Sequence, residues 1–464
     1  MKRFNLIAAA LGLVTALAST AIGAPILTLQ RSIDEAVAHS PGLSAYRHLV
    51  QAAREDITVK RGSTLPYLSS NLQLYEVNGF PAAPYTTLHL VIPENGFGAA
   101  AIVHNPNAHW APVAIQEVGV NYPLYKEGSV MGLNNPPVVA AARAVLTEQE
   151  LLSILQAQKL ILDVTQAYVN AASFRDQSDL QDQIVALHEK QLKIVRAEVS
   201  LGLALPMQID IVRAQLEAAR KIQVAARQSM NSYCTLLSTL MGRGSDYAFA
   251  LDHTKLPLPT LPSLQEFLGR VMPVHPALRV QGTKIEVAQQ EVKIEQANLL
   301  PTAELHTKFA GAEDLDYFNG NEAHRRPTEF QAYITVSIPL WDFGQRRAAS
   351  REAQDKLLYE KDSHEQLDLQ IRSAITTVYG RIDDYARNVA IAESAYLRDQ
   401  QDLMLARAQR RQGVIDELQL VMTQVAQANA EVSVEGATQL ERLEYADLQN
   451  LAGGAWQWIR QTIN

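Results

Sequence analysis

Hardly any residues of this 464-residue chain stand in patterns that make or break bonds. His104 and His109 flank Asn105-Pro106, but two imidazoles fall short of the ligand set a tetrahedral metal takes. Asp383-Asp384 lies beside Arg381 and Arg387 and reads as a solvated, ion-paired face. The single cysteine, Cys234, leaves no intrachain disulfide or thiolate zinc cluster. The methionines are too scattered for a thioether copper relay. No Ser-His-Asp, phosphate-loop or Cys-His constellation has supporting context, so neither an enzyme nor a cofactor site is expected. The most concentrated charge pattern brackets a turn: Arg410 and Arg411 precede Gln412-Gly413-Val414, and Asp416 and Glu417 follow it. Exposed pairs of that kind are worth about 0–1 kcal/mol each.

The elements that carry this turn are unusually long. Val138 to Leu201 and roughly Gln345 to Gln412 are polar, alanine-rich and almost free of helix breakers. At 1.5 Å per residue each would span on the order of 95–100 Å. Ile371, Ile375, Val378, Ile382, Tyr385, Val389, Ala392 and Tyr396 alternate spacings of four and three. Leu180, Ile184, Leu187 and Ile194 do the same, as coiled-coil seams do. Gly202 and Gly413 end these helices, and Val421, Val425, Ala428 and Val432 mark a returning helix.

Ahead of each long helix come two segments that alternate with period two. Leu68, Leu72 and Leu74 oppose Ser69, Asn71 and Gln73, and Val118, Val120 and Tyr122 oppose Glu117, Gly119 and Asn121. Ala303, Leu305 and Phe309 oppose Glu304, His306 and Lys308, and the even-numbered residues from Phe330 to Ile338 oppose Gln331, Tyr333, Thr335 and Ser337. Helical pattern runs from about Leu29 to Thr64 and from Pro276 to Leu300, each stretch ending at a proline.

The chain is thus written twice. Pro41 and Pro276, and Pro66 and Pro301, are 235 residues apart. Pro123-Leu124-Tyr125 with Gly128 returns 216 residues on as Pro339-Leu340-Trp341 with Gly344. Tyr168 returns as Tyr379 and Gly202 as Gly413, both after 211. The expected organisation is a signal peptide at 1–23, a first repeat at 24–244 with a β-hairpin at 67–123, and a linker at 245–261. A second repeat follows at 262–453 with a β-hairpin at 302–339, and a tail at 454–464. Lys2 and Arg3, the apolar run from Phe4 to Leu17 and the small residues Ala21-Ile22-Gly23 motivate the signal peptide. With no cysteine beside the cleavage point, a lipid anchor there is not expected. Its removal takes the formal charge from −8 to −10 (39 basic, 49 acidic residues), which disfavours a nucleic-acid surface.

Four amphipathic strands of about ten residues have the length of membrane strands. Four cannot close a barrel, and open edges cannot face hydrocarbon. A soluble sheet packed on helices is the plain alternative. Several protomers sharing one barrel satisfy both constraints, and three would supply twelve strands. The loops at Asn78–Pro112 and Gly311–Thr328 would then lie at the far, extracellular end.

These residues resemble the TolC-like outer-membrane efflux proteins from Leu27-Thr28-Leu29 to Leu451-Ala452-Gly453. The motifs carrying the resemblance occur in both halves. They are the helix starts at Pro41 and Pro276, the Leu-Pro breaks at Pro66 and Pro301, and Pro-Leu-Tyr/Trp with Gly128 or Gly344. The tip glycines with downstream Gln215 and Gln424 complete the set, and Trp341-Asp342-Phe343-Gly344-Gln345-Arg346-Arg347 matches especially well. The resemblance implies an α+β membrane protein: long antiparallel helical hairpins forming a periplasmic α-barrel, with four strands per protomer contributing to a trimeric 12-stranded β-barrel in outer-membrane lipid. It implies the exit duct of a tripartite efflux pump or type I secretion system, partnered by a periplasmic adaptor and, through it, an inner-membrane transporter that supplies the energy.

Many members of the family place acids six and nine positions after the tip glycine. Counted from Gly413 these positions hold Gln419 and Met422, a departure from an acidic ring. Asp416 and Glu417, with Leu418 as an apolar plug, join them as gate candidates; a solvated tip with local ion pairs is the plain alternative. Leu201-Gly202-Leu203 and Gln412-Gly413-Val414 resemble the family's adaptor-docking turns, although helix capping explains the glycines equally well. A periplasmic coiled-coil adaptor is the competing function. Adaptors carry one hairpin inserted in β-rich domains, whereas this chain has two hairpins and membrane-patterned strands.

Overall fold

The computed structural model describes residues 25–80, 90–91, 100–101, 109–133, 135–245, 247–252, 258, 260–314 and 328–453. The expected signal peptide, the C-terminal tail and His104 lie outside them. The chain divides into two compact units, each drawing on both repeats: residues 1–48, 151–279 and 366–464 form one, and 49–150 with 280–365 the other.

In order along the chain come β1 (Ile26–Leu27), α1 (Leu29–His39), α2 (Pro41–Gly62), β2 (Tyr67–Phe80), β3 (Leu90–Val91), β4 (Ala100–Ala101), β5 (His109–Lys126) and β6 (Ser129–Val130). Then follow α3 (Pro137–Ser200), α4 (Met207–Leu240), β7 (Ala250–Leu251), α5 (Leu264–Val271), α6 (Pro276–Ala297), β8 (Thr302–Asp314), β9 (Thr328–Ser337), α7 (Gln345–Arg411) and α8 (Glu417–Leu451). The continuous helix expected over 29–64 is two helices. Ser40 precedes proline, which disfavours the α region, and sits at φ −63°, ψ 119°. Three of the four strands, β2, β5 and β8, also run longer than about ten residues, with 14, 18 and 13, while β9 has ten. Pairing continues past the clean alternation, so Pro112 and the segment to Phe80, expected as loop, are strand.

In the first unit the two halves build matching cores. Thr28 caps α1 and Ser263 caps α5, again 235 apart. Leu160, Val164, Ala167, Ala171 and Leu237 are buried around α1, and their counterparts 211 residues on, Ile371, Ile375, Val378, Ile382 and Leu448, are buried around α5. The Tyr168 hydroxyl donates to Leu27 O at 3.2 Å, and the Tyr379 hydroxyl to Pro262 O. Each tyrosine ties the chain entering its repeat to the long helix. A third cluster joins Ile184, Val185, Leu192 and Val195 of α3 to Val212 and Leu216 of α4 and Ala428 of α8.

The second unit holds the sheet, an antiparallel meander in the order β2-β5-β8-β9, with β6 folded onto the end of β5. Its register puts every apolar residue of the alternation on one face: Leu68 opposes Val120, Val118 opposes Phe309, and Phe309 opposes Phe330. Within the same unit, α6 is held to α7 by Gln281, which donates to Glu360 O at 3.2 Å.

Candidate functional site

The two helix tips, in the first unit, form the same turn. Gly202 and Gly413 both sit at φ +75°, where a side chain would be strained. Gly202 N donates to Val199 O and Leu203 N to Glu198 O; Gly413 N donates to Arg410 O and Val414 N to Gln409 O. These paired bonds satisfy the last carbonyls of α3 and α7, the Schellman arrangement. The surfaces they present differ. The first tip exposes Leu201, Leu203, Leu205 and Met207; the second exposes Val414, with Gln412 and Gly413 beside it.

The gate candidates separate on inspection. Asp416 is the N-cap of α8, its carboxylate accepting from Gln419 N at 2.7 Å. Glu417 accepts from Lys190 Nζ of α3 and from Arg410 Nε at 3.2 Å. The Lys190 ammonium first, then Arg410, hold its carboxyl below the usual carboxylate range. Leu418 is half-buried against the third core cluster and is therefore turned toward the helix seam. Gln419 and Met422 are exposed. The side-chain oxygen of Gln424, two residues beyond Met422, is buried without a hydrogen-bond partner. Gln215, the glutamine downstream of the first tip, is exposed.

The sheet inverts the arrangement of a soluble protein. Its apolar face is open, with Leu68, Leu72, Phe330, Ile334 and Val336 each more than half exposed. Its polar face is sheltered over the two central strands, where Lys308 pairs with Glu117, each side chain about 15 % exposed or less, and is exposed at Asn71, Gln73 and Thr335 on the edge strands. His306 Nδ1 donates to Asn121 Oδ1 at 2.7 Å, Asn121 Nδ2 to Ser69 Oγ at 3.4 Å, and the His306 ring stacks on Tyr333 at 5.2 Å. Among the described residues β2 and β9 are edges, no helix is long and apolar enough to cross a membrane, and no cluster of three His, Cys, Asp or Glu side chains is placed to hold a metal.

Comparison with known proteins agrees with this geometry. Residues 271–454 match the outer membrane efflux protein family. The outer membrane protein VceC of Vibrio cholerae superposes with a TM-score of 0.72 over 92 % of this chain and 96 % of its own, at 17 % identity. The second repeat therefore resembles the outer membrane efflux proteins, and the chain as a whole has the fold of VceC. The chain's sequence is 23 % identical to the alkaline protease secretion protein AprF of Pseudomonas aeruginosa over 51 % of this chain and 48 % of AprF. It is equally similar to the outer membrane efflux protein BepC of Brucella suis over 54 % of each. The chain thus spans about half the length of the curated relatives it matches.

In this chain the contact that sequence patterns miss is the Lys190–Glu417 pair. Its partners are 227 residues apart, in different repeats, and each alone is an ordinary exposed charge. His109, the described member of the histidine pair, opens β5.

Proposed function

We propose that the chain is the exit duct of a tripartite efflux pump or a type I secretion system, a passive conduit assembled from three copies. The observation that carries this is the sheet with an open apolar face, a polar face carrying an ion pair and hydrogen bonds over its central strands, and edges at β2 and β9. Such a sheet suits a position with hydrocarbon outside and water inside, once neighbours cover its edges. An even number of long strands per copy lets antiparallel pairing continue from copy to copy. The helical hairpins extend into the periplasm, where their tips meet an adaptor, and an inner-membrane transporter behind the adaptor does the work.

The duct opens, in this reading, as the second tip moves away from α3. The Lys190–Glu417–Arg410 cluster is the clasp, Gln419 and Met422 are the candidates with side chains free to line the opening, and Asp416 fixes the start of the moving helix. The exposed leucines of Leu201-Gly202-Leu203, with Gln412-Gly413-Val414, offer the adaptor its surface. Reconstitution in planar bilayers tests this. The protein should form trimeric channels of low resting conductance, and Lys190→Ala and Glu417→Gln should each raise it. Failure of purified, membrane-inserted protein to conduct in any variant would sink the channel reading.

A further inference from the structure

We infer that neighbouring copies meet by repeating the junction between the two halves of one copy, so that β9 of one copy pairs antiparallel with β2 of the next, Val336 opposite Leu72. This rests on the channel reading, and it fixes a register that the channel reading leaves open. The numerical offsets between the repeats can be checked inside a single copy. Adding 235 to the β2 residue and 216 to the β5 residue turns Tyr67–Asn121 into Thr302–Ser337, and Leu68–Val120 into Ala303–Val336. Both are pairs of the second hairpin. The offsets therefore carry strand register as well as sequence likeness.

The junction between the halves is β5–β8, where Val120 opposes Thr307 and Asn121 opposes His306. Shifting each residue to its counterpart in the other half moves β5 onto β9 and β8 onto β2. The result is Val336 opposite Leu72 and Ser337 opposite Asn71 of the neighbouring copy. Two features that were not used in the shift agree with it. The faces match, since exposed apolar Val336 and Leu72 fall together and polar Thr335 falls opposite Gln73; a slip of one residue would set the apolar face of one strand against the polar face of the other. The ends match too, because Thr328, the first residue of β9, falls opposite Phe80, the last of β2. Every residue of β9 then has a partner and both open edges close.

The helices of the first unit obey the same operation with their common offset of 211. Between the halves, Gln166 of α3 donates to Asp447 of α8 at 2.7 Å, and Ser173 to Gln439 at 3.1 Å. Shifted, these rungs place Thr377 of α7 beside Leu236 of the neighbouring copy's α4, and Asp384 beside its Gln228. All four are exposed in the single copy, Leu236 by 45 %. They lie on faces that a neighbour can cover.

The test uses the full chain with Cys234→Ser as background, in membranes, with an oxidant. Directly opposite residues have Cα atoms about 4.5–5.5 Å apart, within the span of a disulfide, whereas residues displaced by two lie about 7–8 Å away, beyond it. Val336→Cys with Leu72→Cys should link chain to chain several-fold more than Val336→Cys with Ser70→Cys. Val120→Cys with Thr307→Cys should close within one chain and so report a folded sheet. Stronger chain-to-chain linking by the Ser70 pair overturns the register while the oligomeric channel stands. A closed internal pair in a protein that is monomeric on a native gel overturns the inference together with the channel reading.

Discussion

His275 is a residue whose two ring nitrogens are both committed. Nε2 donates to Leu451 O at 2.8 Å and Nδ1 accepts from Ala277 N at 3.2 Å, which requires the neutral ring. Burial pushes its pKa below the usual value, against a smaller upward pull from the Leu451 carbonyl. The unfolded chain therefore binds the proton more readily, so this contribution to stability is complete above about pH 6.5 and declines as pH falls below it. Glu444 and Asp447 oppose the trend, because burial raises both carboxyls and protonation favours them in the fold. The histidine share is thus read as the difference between wild type and His275→Gln in thermal melts at pH 8 and pH 5.5. The wild type should lose more of its midpoint on acidification; an equal loss would contradict the assignment. Tyr168 is simpler. Its hydroxyl is buried and bonded to Leu27 O, with the pKa pushed up to about 12, mainly by burial. Tyr168→Phe should cost about 1 kcal/mol in denaturant unfolding, and Tyr379→Phe, its counterpart in the second repeat, a similar amount.

At the scale of elements, the contact between β5 and β8 depends on Gly119. A Cβ there would sit 2.6 Å from Thr307 O, closer than real side chains approach a carbonyl. Gly119→Ala should therefore push the two hairpins apart and lower the yield of assembled, heat-modifiable protein, while Gly42→Ala, whose Cβ would meet only ordinary contact with Ser40 Oγ, should not. The hairpins themselves were legible in the sequence because one face is mostly apolar, interrupted at Ser70 and Thr307, which leaves a period-two signal at Leu68, Val118, Leu305 and Ile334. Their ends were not, since Pro112 and Asn78 look like loop residues although both lie within paired strands. Tip glycines announce the long helices, as φ near +75° at Gly202 and Gly413 favours that residue type. The break at Ser40 was hidden inside a continuous helical pattern, and the two-residue pairing of β1 with β7 is too short to show any period. Clasp residues such as Lys190 and Glu417 gain meaning only when the fold brings the two repeats together.

For the whole molecule the decisive property is which face of the sheet meets lipid, and adjacent residues of β9 can report it. Ile334 lies on the open apolar face, opposite Leu305, while Thr335 lies on the polar face, opposite Glu304. If the open face contacts hydrocarbon, Ile334→Lys carries an ammonium into it, at a cost of about 2–4 kcal/mol near the midplane and about 0–1 near the interfaces. Thr335→Lys places the same charge on the side assigned to water, beside the carboxylate of its cross-strand neighbour, and should be tolerated. Folding of each variant into lipid vesicles across a urea series separates the two. Ile334→Lys should shift the midpoint to lower urea and Thr335→Lys should leave it near that of the wild type. In channels that do form, Thr335→Lys should instead move ion selectivity toward anions, because three copies would put three added charges around one lumen. Equal destabilisation by both lysines would mean that neither face is in water and that the sheet is packed against protein on both sides. A reversed order would place the apolar face inside the assembly and rule out a barrel built from these strands.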